Sequence, residues 1–134
     1  MSTGANLRTY VLASTSVSNL VGTRVYQGIV PTTASLPFVW FRRRSVEYLN
    51  TLGETETVPW REMFDWECVA DDPAEADGVA DAVRNRLHCA KGTMGTTVYQ
   101  WVDVQDQSDE YIPRNMQADE VLHIVSLDVE VTNK

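Results

Sequence analysis

Apolar positions recur every three or four residues at the start of the chain, at Leu7, Tyr10 and Val11 and then at Val17, Leu20 and Val21. That spacing predicts a short amphipathic helix near 4–14 and a second helical turn near 17–21. Gly22 ends it, because glycine accepts the left-handed backbone that closes a helix. Thr23 to Tyr26 reads as a short extended piece, followed by a loop holding Gly28, Pro31 and Pro37. Residues 38–46, FVWFRRRSV, are β-branched and aromatic and contain no Gly or Pro, which predicts a strand. The polar stretch from Asn50 to Glu56, broken by Gly53, has the composition of a hairpin loop.

From Trp60 to Ala70 the pattern changes to a clear alternation. Trp60, Phe64, Trp66, Cys68 and Ala70 share one face, and Arg61, Asp65 and Glu67 share the other, as in a half-buried antiparallel strand. Glu62 and Met63 break the pattern near its start. Asp72 then caps a helix, with Pro73 at its first position and Glu75 completing a D-x-x-E box. Its apolar stripe is Ala76, Val79, Ala80, Val83, Leu87 and Ala90. Acids sit early (Glu75, Asp77, Asp81), bases late (Arg84, Arg86, Lys91), and Gly92 supplies the stop, all in line with the helix dipole.

Two more strands follow, at 97–105 and 121–131. In the second, Val121, His123, Val125, Leu127, Val129 and Val131 face one way, while Ser126, Asp128 and Glu130 face the other. Between them, Asp106 to Glu120 is polar and acidic and is expected as a long loop. The order predicts an α+β fold: a mostly antiparallel sheet of four to five strands with two main helices packed on one face. At 134 residues the chain suits a single domain, 1–134, with extended loops near 47–58 and 105–120.

Charge adds an asymmetry that the pattern does not show. Residues 1–50 carry five arginines (8, 24, 42, 43 and 44) against Glu47, or +4, while residues 51–134 carry −12, giving −8 in all. Such a dipolar subunit suits head-to-tail contacts between copies, although chance drift of surface charge gives the same count. The acidity argues against a free-standing duplex-DNA binder. No run of about 18 apolar residues predicts a membrane span, and MSTGANLRTY lacks the features of a signal peptide, so an intracellular product is expected.

Candidate chemistry is sparse. Cys68, His88, Cys89 and His123 show none of the spacings of a metal site, and Cys68 and His123 fall on apolar faces, where core packing is the expected role. Gly92-Thr93-Met94-Gly95 is not a phosphate loop. Asp103, Asp106, Asp109 and Glu110 lack the glycine and the ligand spacing of an EF-hand. No enzyme signal and no cofactor or metal site is predicted. Arg42, Arg43 and Arg44 form the odd cluster, with the first and third on one face of the strand and the second on the other. They are either solvated charges or an edge that meets a neighbour's acids or nucleic-acid phosphate.

The first half contains Asn19-Leu20-Val21-Gly22-Thr23-Arg24-Val25-Tyr26, then Gly28, Pro31 and Ser35-Leu36-Pro37-Phe38-Val39. Phe64-Asp65-Trp66-Glu67-Cys68, Asp71-Asp72-Pro73 and Arg84-Asn85-Arg86-Leu87 follow in the same layout. In this the chain resembles the small tail-completion, or tail terminator, proteins of tailed bacteriophages; the acidic segment 105–120 departs from the pattern. The resemblance implies a non-enzymatic virion protein, assembled in the host cytoplasm, that forms a homohexameric ring at the head–tail junction. Its implied partners are its own copies, the tail tube protein and the head–tail connector, with genomic DNA passing through the lumen unbound and no membrane involved. Arg42, Arg43 and Arg44 are then candidates for subunit contacts. Asp106, Asp109, Glu110, Tyr111 and Arg114 are candidates for a loop that meets tube, connector or lumen. A head-closure or adaptor ring, or a small cytoplasmic ligand-binding or enzymatic domain, remains the alternative.

Overall fold

The structure, a computed structural model, describes residues 3–48, 60–94, 97–113 and 121–133. In chain order the elements are α1 (Thr3–Leu12), α2 (Thr15–Val21), β1 (Val25–Gln27), β2 (Phe38–Tyr48), β3 (Trp60–Ala70), α3 (Pro73–Leu87), β4 (Gly92–Met94), β5 (Thr97–Pro113) and β6 (Val121–Asn133). The strands form one sheet in the order β1-β2-β3-β6-β5-β4. Only the β1–β2 pair is parallel; the others are antiparallel. The fold is therefore α+β with a mostly antiparallel sheet.

Alternation builds the core. Val39 and Phe41 of β2, Phe64, Trp66 and Cys68 of β3, and Val125, Leu127, Val129 and Val131 of β6 are all buried in one cluster. Leu7 and Val11 of α1, Val17 and Val21 of α2, and Ala76, Val79, Ala80, Val83 and Leu87 of α3 join that same cluster. At its centre Phe41 stacks on Trp66, with ring centroids 4.0 Å apart. The N-cap of α3 is the one expected: Asp72 accepts from the Ala74 N–H at 3.2 Å. Arg86 ties α3 to α1, donating to the Tyr10 carbonyl at 2.9 Å with its guanidinium 3.7 Å from the Tyr10 ring centroid.

The segment that carries the family resemblance is a structural clamp. Arg24 donates from Nε to the Pro37 carbonyl at 2.9 Å, and its own carbonyl accepts from the Val39 N–H at 3.0 Å. Arg8 donates to the Val25 carbonyl at 2.6 Å, and Tyr26 meets Phe38 edge to face. Gly22 (φ 61°) and Gly28 (φ 81°) supply the positive φ angles that let the chain turn into and out of β1.

Four expectations change. The sheet has six strands rather than four to five, because β1 and β4 are three residues each, too short to show a period, and are strands only through pairing with β2 and β5. Residues 105–113 are strand rather than loop, laddered to β6 from Asp106↔Asp128 to Pro113↔Val121. Every residue from Gln105 to Tyr111 is exposed, so this stretch had no hydrophobic alternation to read. The helix ends at Leu87, so Lys91 lies outside it; Cys89 (φ 63°) turns the chain, and Ala90 is buried beside Val102. His123 is half-buried beside Tyr111 rather than in the core, whereas Cys68 is fully buried. Of the expected loops near 47–58 and 105–120, Glu47 and Tyr48 belong to β2, and residues 49–58 and 114–120, with Arg114, fall outside the described residues.

Candidate functional site

Arg42, Arg43 and Arg44 lie where β2 outruns β1. The parallel β1–β2 pairing covers Val39, Trp40 and Phe41 and then stops. Arg42 sits opposite Asp65 and Arg43 opposite Phe64, while Arg44 has no opposite residue, so it is the extra residue of a bulge. The split between faces is the expected one. Arg42 and Arg44 reach Asp65 at 3.8 and 3.0 Å, and Arg44 also reaches Asp128 at 3.6 Å. On the core side Arg43 lies 3.4 Å from Glu62. Even so, the three side chains stay 63%, 58% and 46% exposed. They therefore pair with their own chain and still present charge to solvent.

The polar face of the sheet carries two charged rows. One runs Arg42 and Arg44, Asp65, Asp128, Asp106 across β2, β3, β6 and β5, with the three aspartates in direct register. The other joins Glu47 to Arg61 at 3.4 Å and Arg61 to Glu130 at 2.9 Å, and Glu130 accepts from the Gln105 amide. Sequence reading singled out the arginines but missed their partners. Asp65 and Asp128 had been placed on the polar faces of their strands, and only the sheet order shows that those faces adjoin.

Glu62 is the other residue that the sequence left unexplained. It points toward the core from the start of β3 and is only 2% exposed. Trp60 Nε1 donates to it at 2.8 Å and Thr3 Oγ1 at 2.6 Å, so a buried carboxylate joins α1 to the sheet.

The acidic candidates Asp106, Asp109, Glu110 and Tyr111 lie along the outer part of β5. Asp106 and Glu110 stand opposite Asp128 and Ile124 on the polar face; Asp109 and Tyr111 stand opposite Val125 and His123 on the other. Beside them is a small cleft of about 90 Å³ between the start of α3 and the β5–β6 ladder, lined by Pro73, Asp77, Tyr111 and His123 among others. Among the described residues no three His, Cys, Asp or Glu side chains gather as a metal site, and no helix is long and apolar enough to cross a membrane. Burial, reinforced by the neighbouring Glu67 charge, pushes the Cys68 thiol up to about 12, so it stays protonated and unreactive.

The sequence matches the family of Tail completion protein gp17 over residues 5–131. The chain belongs to that family. Among solved structures, a chain from the "Virion of native gene transfer agent (GTA) particle" has the same fold, with a TM-score of 0.70 at 17% identity, covering 98% of this chain and 93% of that one. No curated protein sequence matches. A tail completion protein is a structural component of a virion, and its contacts with other head and tail proteins are then the property to be explained. Surfaces, rather than a catalytic cleft, are where to look for them. The clamp at Arg24, Pro37 and Val39 shows that the most legible motif of the sequence holds β1 against β2, and beyond Phe41 no described strand covers the β2 edge.

Proposed function

We propose that this tail completion protein is a tail terminator: a single-domain subunit, its helices on one face of the sheet, that closes into a six-copy ring at the head–tail junction. The ring ends the tail tube and joins it to the head connector. The observation that carries this reading is the placement of opposite charge on the two far sides of the sheet. The arginines are on β2 and the acidic run is on β5, as a head-to-tail contact between identical subunits requires. Arg42, Arg43 and Arg44 serve the subunit contact. The segments near 47–58 and 105–120, including Tyr111 and Arg114, meet tube and connector. Asp109 and Glu110 supply the acidic side of the subunit contact, and Asp106, on the polar face, adds to a negative surface that repels phosphate and lets the genome pass without sticking. The role is structural, with no catalytic step and no membrane, and assembly takes place in the host cytoplasm.

A head-closure or adaptor ring is the second reading, since it too is a small ring built from surface contacts. Native mass spectrometry over a concentration series, with negative-stain images of the protein alone and mixed with isolated tail tubes, separates the readings. Six-fold rings on tube ends are the expected result. Rings that bind heads and ignore tubes would move the assignment to the connector side. A protein that stays monomeric and binds neither would overturn both.

A further inference from the structure

The two sides of the sheet are unpaired over similar lengths. Beyond Phe41, no described strand covers the outer edge of β2 from Arg42 to Tyr48. On the other side β4 pairs with β5 only at Thr97, Val98 and Tyr99, and the His88–Ala90 turn reaches Val102 and Val104. From Gln105 to Tyr111 the outer edge of β5 is uncovered among the described residues. Each free stretch has about three or four residues whose N–H and C=O both point outward, or about six to eight hydrogen bonds to an antiparallel partner.

Charge on a free edge usually prevents pairing between copies. Here the two edges carry opposite signs, so the charges favour the pairing of one with the other. The faces match as well. Arg42 and Arg44 lie on the polar face and Arg43 on the core side; Asp106 and Glu110 lie on the polar face and Asp109 on the core side. Neither Asp109 nor Glu110 has an ion-pair partner among the described residues.

Strand direction agrees. β2 is antiparallel to β3, β3 to β6 and β6 to β5, so β5 runs opposite to β2. A copy that continues the sheet by rotation about an axis along the strands therefore brings β2 to β5 antiparallel. We infer that in the ring the free edge of β2 in one copy pairs antiparallel with the free edge of β5 in the next, Arg43 opposite Asp109 and Arg42 opposite Glu110. The free stretches lie at opposite ends of the sheet, because Tyr48 shares its row with Trp60, Asn133 and Tyr99, whereas Val39 shares its row with Asp109. With Arg43 opposite Asp109, which shares its row with Val39, successive sheets are staggered by about four residues, or about 13 Å. Staggered, tilted strands are what closure of a sheet into a ring demands.

The inference rests on the ring reading, and a charge-swap experiment tests the two separately. One variant carries Arg42→Glu and Arg43→Glu, keeping Arg44 on its two aspartates; the other carries Asp109→Lys and Glu110→Lys. Circular dichroism and thermal melting first establish that each is folded. Ring or tube-end assembly, read by native mass spectrometry and negative stain, is expected to fall at least tenfold for each variant alone. It should return in an equimolar mixture, where every edge again meets its opposite sign and an even-membered ring alternates the two chains. Folded variants that assemble like wild type, or a mixture that fails to recover, would overturn the edge pairing and leave the ring intact. If wild type itself forms no ring, alone or on tubes, the ring reading fails instead. Should the β2 variant fail to fold, the β5 variant alone decides, since Asp109 and Glu110 make no ion pair among the described residues: normal assembly overturns the inference and loss supports it.

Discussion

Asp65 of β3 and Asp128 of β6 stand directly opposite each other, and the Arg44 guanidinium lies 3.0 Å from the first and 3.6 Å from the second. Two carboxylates in register repel, and the bulge at Arg44 brings a cation over both. Arg44→Ala is expected to lower stability by about 0.5–1 kcal/mol, and Asp128→Asn in the same background to restore most of the loss. Urea unfolding of both variants and their parent at low and high salt checks this; the coupling should shrink as salt screens it.

Glu62 is the buried acceptor that joins Thr3, Trp60 and Arg43. Glu62→Ala strands the Trp60 and Thr3 donors and should cost about 1–3 kcal/mol. Glu62→Gln, which keeps an acceptor oxygen, should cost less. Chemical denaturation ranks the two, and equal losses would show that the hydrogen bonds contribute little.

Trp66 is fully buried and stacked on Phe41, whereas Trp101 is 42% exposed on β5. Trp66→Ala should cost about 3–5 kcal/mol, a large part of the ~5–15 kcal/mol expected for a domain. Trp101→Ala should cost well under half of that. Thermal melts of the two proteins provide the comparison.

The Cys68 thiol is held protonated up to about 12, against an ordinary value of 9.0, because burial disfavours the thiolate. The unfolded chain loses that proton first, so the contribution to stability is complete below pH 9.0 and is lost as pH rises toward about 12. Cys68→Val should flatten the fall in unfolding free energy between pH 9 and pH 11. At pH 8 a thiol reagent should label exposed Cys89 within minutes and reach Cys68 only after denaturation.

Asp72→Ala removes the acceptor of the Ala74 N–H at the start of α3 and should cost about 1 kcal/mol. Asp72→Asn or Asp72→Ser should recover most of it. The melting temperatures of the three variants decide.

Where burial on one face left a period, the chain announced its own structure. The alternation of Phe64, Trp66, Cys68 and Ala70 and the stripe of Ala76, Val79, Ala80, Val83 and Leu87 settled β3 and α3, because a half-buried strand and an amphipathic helix write their geometry into composition. The cap at Asp72, the separation of Arg43 from Arg42 and Arg44, and the resemblance carried by residues 19–39 were legible for the same local reason. What is not local was decided only by the fold. β1 and β4 are strands because longer neighbours hold them, and Gln105 to Pro113 is a strand because β6 pairs with it, although Gln105 to Tyr111 show no apolar alternation. The partners of the arginines come from β3 and β6, beyond any spacing rule. The opposition of a basic edge to an acidic one exists only because the sheet order sets β2 and β5 toward opposite sides.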